Sequence, residues 1–340
     1  MAQLMPPPLR ALIAIACLTL MSACATRSAP VDDVPAQTVK ESRDEPLPAL
    51  RSNGLVALPD TRIHQVEVHS SGRRYPVWID LPPSYANEPE RRYPVLFVTD
   101  APWSFPMLHG IRQLMGRGSS RFAEFILVGL PPQDGLSLRD SRSRDYTPTN
   151  PRLRDNYAAS DYEAPEYGQA AAWREVIGKQ IIPLVDRHYR TTPGQRAYAG
   201  HSYGGLFGAY VLLTDPGLFD IYVLGSPSLW FDQGEIFRIE QAEASRRTDR
   251  AELALPARVR MAIGAYERPG EGARYGKASA HDMVSDVVRF AGILQGRGYD
   301  GLSVDYRVID GEDHGSVYPA FITDALVWAF PGTNPKYRED

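Results

Sequence analysis

Gly200-His201-Ser202-Tyr203-Gly204 decides the reading of this chain. It has the pattern G-x-S-x-G, which places a serine on a tight turn between a strand and a helix. The flanks fit that geometry. Arg196-Ala197-Tyr198-Ala199 is a short, largely apolar run suited to a buried strand, and residues 204–213 are rich in small and apolar side chains suited to the following helix. Such a turn strains the serine backbone and needs small neighbours, which glycine supplies. It lifts the hydroxyl clear of the sheet and aims the next backbone N–H, that of Tyr203, at an incoming carbonyl oxygen.

On either side of this turn, strand patterns alternate with helix patterns. Residues 64–68 and 75–81 alternate in polarity, and Ser70-Ser71-Gly72 joins them, so they are expected to pair antiparallel at one sheet edge. Continuous apolar runs at 93–99, 125–129, 221–225 and 259–264 read as strands covered on both faces, and 302–309 as the last strand. Helix patterns lie at 107–116, 168–189, 282–296 and 317–330. Alternation of this kind implies βαβ units, hence an α/β fold with a mostly parallel central sheet, helices on both faces and an antiparallel N-terminal edge. Residues 130–168, rich in Pro, Arg, Asp and Tyr, interrupt the alternation and read as a long loop near the carboxyl ends of the strands, where ligands bind in open α/β sheets.

The chain has 340 residues, 43% of them hydrophobic and 23% charged, with a formal net charge of −4. That balance suits a globular protein. No basic cluster interleaved with aromatics points to nucleic acid. Residues 1–24 read as a leader: Arg10, an apolar run over 11–20, then Met21-Ser22-Ala23-Cys24. The small-small-Cys ending resembles a lipobox, with Cys24 as the lipidated residue. No aspartate follows it, which favours the outer membrane. Ala23-Cys24-Ala25 competes as an ordinary A-x-A cleavage site, giving a soluble periplasmic or secreted protein. Residues 25–55 read as a flexible tether, 56–334 as the catalytic domain and 335–340 as a tail. Both cysteines, Cys17 and Cys24, lie in the leader, so the domain is expected to have no disulfide, thiolate metal site or thiol catalysis. Nothing in the motifs calls for a cofactor or a metal, and the expected partner is a small-molecule ester; the oligomeric state stays open.

A serine hydroxyl needs a base in contact. His314, in Asp310-Gly311-Glu312-Asp313-His314-Gly315-Ser316, follows the last strand and precedes the last helix, where the histidine of such a fold belongs. His201 is read as lining the pocket or packing behind the turn, and His64, His69, His109, His188 and His281 as structural. The orienting acid should follow strand 259–264, which selects Glu267. Asp282, Asp286, Asp310 and Asp313 are rivals, and a Ser-His dyad is a further alternative. The second oxyanion donor should come from the turn after 93–99. Pro102 has no N–H, leaving Ala101 or Trp103. Trp103 and Trp230 are candidate apolar walls. Arg144 either clamps an anionic or oxygen-rich substrate or pairs with Asp145.

These motifs, together with Arg144-Asp145-Tyr146-Thr147-Pro148-Thr149 and Ser226-Pro227-Ser228-Leu229-Trp230, resemble the putative-esterase group of α/β hydrolases over roughly residues 60–332, with the siderophore-esterase branch nearest in motif. The resemblance implies an α/β-hydrolase fold, with Ser202 as nucleophile and His314 as base. It departs at Thr99-Asp100-Ala101, where that group often carries L-D-G, and Glu267 transfers weakly because the acid varies within the group. An acyltransferase using the same acyl-enzyme and a non-catalytic binding lipoprotein remain as alternatives.

Overall fold

Strand β3, Tyr93–Thr99, shows how the apolar runs build the interior. Val95 and Phe97 join one core, and Leu96 and Val98 join the other, so a run apolar at every position is buried on both faces of the sheet. The computed structural model describes residues 58, 61–115, 121–154, 162–247, 254–271 and 280–333. The leader, the tether, Cys24 and the tail lie outside the described residues.

Eight strands form one sheet in the order β1-β2-β4-β3-β5-β6-β7-β8. β1 (Thr61–Val68) pairs antiparallel with β2 (Arg73–Asp80), and β2 pairs antiparallel with β4 (Ile126–Leu130). From β4 onward through β3, β5 (Thr191–His201), β6 (Ile221–Gly225), β7 (Arg258–Gly264) and β8 (Ser303–Ile309), every pairing is parallel. This is the α/β-hydrolase architecture with the expected antiparallel edge.

Helices α1 (Ala101–Met115) and α8 (Val317–Ala329) cover one face, burying Phe105, Leu108, Phe321 and Leu326. The other face is covered by α3 (Ala170–Val176), α4 (Ile182–His188), α5 (Tyr203–Thr214), α6 (Phe231–Arg246) and α7 (Met283–Gly296). The helix read at 168–189 is interrupted by a π turn over Ile177–Ile181 just before Pro183, whose missing N–H breaks the regular ladder.

Three elements differ from the sequence reading. Helix α1 starts at Ala101, six residues earlier than expected, because proline in a first turn gives up an N–H that no helix carbonyl could reach. Residues 138–145 of the expected loop form helix α2 (Leu138–Asp145), capped by Ser137, whose Oγ accepts the Asp140 N–H at 3.1 Å. Helix α6, not foreseen, opens with three left-handed residues, Asp232 (φ 48°), Gln233 (φ 58°) and Gly234 (φ 72°). Its apolar pattern is blurred by that turn.

Candidate active site

The turn between β5 and α5 holds Ser202 at φ 59°, ψ −118°, a strained conformation that the surroundings enforce. The Ser202 N–H donates to the Gly225 carbonyl at 2.9 Å, and its own carbonyl accepts from Leu206 (2.9 Å) and Ser228 (3.1 Å). The glycines are steric requirements. A Cβ at Gly200 would lie 2.5 Å from the Gly204 backbone, and one at Gly204 would lie 2.4 Å from Thr99 Oγ1. The turn therefore packs directly against the end of β3.

His314 sits on the loop between β8 and α8. Its Nδ1 lies 2.6 Å from Glu267 Oε2. Because a carboxylate only accepts, Nδ1 carries the proton of this contact, and in the neutral imidazole Nε2 is then the acceptor. The other Glu267 oxygen accepts from Ser226 Oγ (2.6 Å) and the Gly264 N–H (2.9 Å), so the acid is held on three sides and is 2% exposed. The two loops meet because Gly264 has no side chain: a Cβ there would lie 2.4 Å from the Glu312 carbonyl. The His314 ring packs against His201, centroids 4.6 Å apart, which sets the imidazole beside the residue preceding Ser202. Burial pushes the His201 imidazole well below the usual histidine range, and the charges of His314 and Arg142 act in the same direction. His201 thus stays a neutral platform.

Two of the rival acids, Asp282 and Asp313, are engaged elsewhere. Asp282 caps α7, accepting from the Ser285 N–H, and Asp313 accepts from Gly315 and Ser316. The Ser202 hydroxyl itself pairs with Ser228 Oγ at 3.3 Å rather than with the imidazole. Catalytic hydrogen bonds are commonly long or misaligned before substrate arrives, and the Ser202 hydroxyl has other staggered rotamers about Cα–Cβ.

Tyr203 and Ala101 are the first residues of α5 and α1, so both N–H groups lie outside the intrahelical ladders, at positive helix ends. Trp103 donates its N–H to the Asp100 carbonyl at 3.2 Å, which leaves Ala101 of the two alternatives on the β3–α1 turn. The Trp103 ring is 38% exposed and meets His201 and Tyr318 edge-on. Trp230 is half-buried, stacks flat on His281 with centroids 4.0 Å apart, and lies 6.4 Å from Tyr203.

Arg144 requires a correction. It is 3% exposed and fully engaged inside the protein, with Nε 2.7 Å from Asp145 Oδ1 and Nη2 2.8 Å from Tyr75 Oη. The internal pairing with Asp145 is realised, and a substrate clamp is not. Arg142, two residues earlier, is the arginine that reaches the site: Nε donates to Asp100 Oδ1 at 2.8 Å and Nη2 to the His201 carbonyl at 3.3 Å. The sequence reading gives Ser226, Ser228 and Arg142 no individual role; Ser226 and Ser228 belong to a stretch that carries the family resemblance and supplies Trp230 as a wall.

Comparison with known proteins gives the family and the fold. The family model described as "Putative esterase" matches residues 68–285. Ferri-bacillibactin esterase BesA of Bacillus subtilis is 25% identical over 291 residues, covering 84% of this chain and 96% of that protein. The siderophore triacetylfusarinine C esterase of Aspergillus fumigatus is 24% identical over 295 residues, covering 81% and 94%. Among solved structures, siderophore hydrolase EstA from Aspergillus nidulans shares the fold, with a TM-score of 0.66 at 20% identity, covering 81% of this chain and 97% of that one. The chain belongs to the putative-esterase family of α/β hydrolases.

Proposed function

We propose that this chain is a serine carboxylic-ester hydrolase working through an acyl-enzyme, with siderophore-type multi-ester compounds as its substrate class. The observation that carries the reading is the 2.6 Å contact between Glu267 and His314 beside the strained Ser202 turn.

In this reading, Ser202 Oγ attacks the ester carbonyl carbon while His314 Nε2 takes its proton. The carbonyl oxygen becomes an oxyanion facing the N–H groups of Tyr203 and Ala101. Glu267 keeps Nδ1 protonated and stabilises the imidazolium as it forms. His314 then returns the proton to the leaving alkoxide, which departs as an alcohol and leaves the acyl group on Ser202. A water molecule, deprotonated by His314, attacks the acyl-enzyme and releases the carboxylic acid, restoring Ser202. The substrate class rests on the activities for which the relatives are named. Trp103, Tyr203 and Trp230 are suited to line an approach for large, partly aromatic substrates.

We place the mature protein at the cell envelope, on the leader and Cys24 motif of the sequence. Palmitate incorporation that is lost in Cys24→Ser supports lipidation, and none in the unaltered chain excludes it. The reaction is tested with a fluorophosphonate probe and a p-nitrophenyl ester. A burst of p-nitrophenol and covalent labelling, both abolished in Ser202→Ala, support the mechanism, and a chain that does neither is not a serine esterase. Hydrolysis of a cyclic trilactone siderophore faster than of simple esters supports the substrate class.

A further inference from the structure

The departure at Thr99-Asp100-Ala101 has a structural counterpart. Asp100 is fully buried and left-handed (φ 53°), immediately before Ala101. A non-glycine residue holds that conformation only where its surroundings over-determine it. Both of its carboxylate oxygens are bound by Arg142 of α2: Nε to Oδ1 at 2.8 Å and Nη2 to Oδ2 at 3.3 Å. The same Nη2 donates to the His201 carbonyl at 3.3 Å, and the guanidinium lies 5.1 Å from the centre of the Tyr203 ring. One planar group therefore touches the β3–α1 turn on one side and both flanks of the Ser202 turn on the other.

We propose that Arg142 and Asp100 form a positioning pair that sets the spacing between the Ala101 and Tyr203 N–H groups, and so the fit of the oxyanion in the ester hydrolysis read above. The inference rests on that reading. Its physical basis is rigidity. A guanidinium fork fixes distance and angle at once, whereas an ammonium is a point charge on a flexible stem. Asp100 and His201 each lie within two residues of a donor, so a shift of Arg142 is transmitted through one or two peptide units. Gly204 completes the contact: a Cβ there would lie 3.3 Å from Asp100 Oδ2, so the two turns are already at van der Waals distance. The pair acts through the backbone and touches neither nucleophile nor base among the hydrogen bonds described.

The test compares the unaltered chain with Arg142→Lys, Asp100→Asn and the double variant Asp100→Asn/Arg142→Gln, which replaces the ions by neutral amides and guards against misfolding of the single variants. Each is assayed for kcat and KM on a p-nitrophenyl ester, for the Ki of phenylboronic acid as a tetrahedral-adduct mimic, and for its urea midpoint. Misplaced donors lower kcat by about 10- to 100-fold, leave KM within about twofold and raise the boronate Ki by a similar factor. Folded variants that keep kcat and boronate Ki within twofold overturn the proposal, as does a loss of kcat with the boronate Ki unmoved. If the unaltered chain neither turns over ester nor takes up a fluorophosphonate, the esterase reading falls and this one with it.

Discussion

Glu267 and His314 are joined at 2.6 Å across two loops that are 47 residues apart, and Ser226 holds the far oxygen of the same carboxylate. An acid so fixed decides which imidazole nitrogen is protonated. Glu267→Gln presents either an amide N–H or a weaker acceptor to Nδ1 and disturbs the tautomer. In the proposed mechanism it lowers kcat by about 10²- to 10⁴-fold, with KM little changed. Ser226→Ala leaves the carboxylate in place with one hydrogen bond fewer and lowers kcat by about 3- to 10-fold, the size of one ordinary hydrogen bond. Steady-state kinetics on a p-nitrophenyl ester reads both. A Glu267→Gln enzyme with full kcat would leave a Ser-His dyad as the working unit.

Ser228 gives the Ser202 hydroxyl a partner other than the imidazole. Removing that partner in Ser228→Ala frees the hydroxyl to turn towards His314. A net hydrogen bond of about 0.5–1.5 kcal/mol corresponds to a labelling rate at Ser202 about two- to tenfold faster. Stopped-flow phosphonylation measures it. Slower labelling would mean that Ser228 assists the attack instead of holding the hydroxyl in reserve.

The strands were legible because burial on both faces leaves an unbroken apolar run, and the Ser202 turn because its glycines are steric necessities. Glu267 was reached through chain order alone; no spacing pattern marks it. The two arginines show where sequence reading stops. Arg142 and Arg144 are two positions apart on α2, so they project roughly 200° apart around the helix. Choosing between them needs the register of a short polar helix that composition hides. Ser226 and Ser228 carry no periodic signal either. Their roles come from the β6–α6 connection and the first turn of α6, whose left-handed residues, Ser226 at φ 40° and then Asp232 and Gln233, sequence patterns do not encode.

Arg144 and Asp145 predict a stability effect without a binding effect. Both are nearly fully buried and tied to Tyr75. Removing one member leaves an uncompensated buried charge, so Arg144→Met destabilises the fold by about 3–5 kcal/mol. Arg144→Met combined with Asp145→Leu recovers much of that loss. Urea unfolding reads the difference, and KM for ester stays within about twofold in any variant that folds. A raised KM with an unchanged unfolding midpoint would return Arg144 to the substrate.

His201 predicts how the fold responds to acid. Burial first, then His314 and Arg142, depress its pKa, and burial does the same to His64 beside Tyr189. A depressed histidine is neutral in the folded chain while the unfolded chain takes up its proton below about pH 6.5. Stability is therefore complete above that pH and falls as the pH drops towards the folded-state value. The slope is at most about 1.4 kcal/mol per pH unit for the buried His201 and smaller for the partly exposed His64, which water screens. His201→Phe removes one group and keeps a ring against His314, Tyr318 and Trp103. Urea midpoints at pH 7.5 and pH 5.5 then differ less in His201→Phe than in the unaltered chain. An equal difference in the two proteins would place the acid sensitivity elsewhere in the fold.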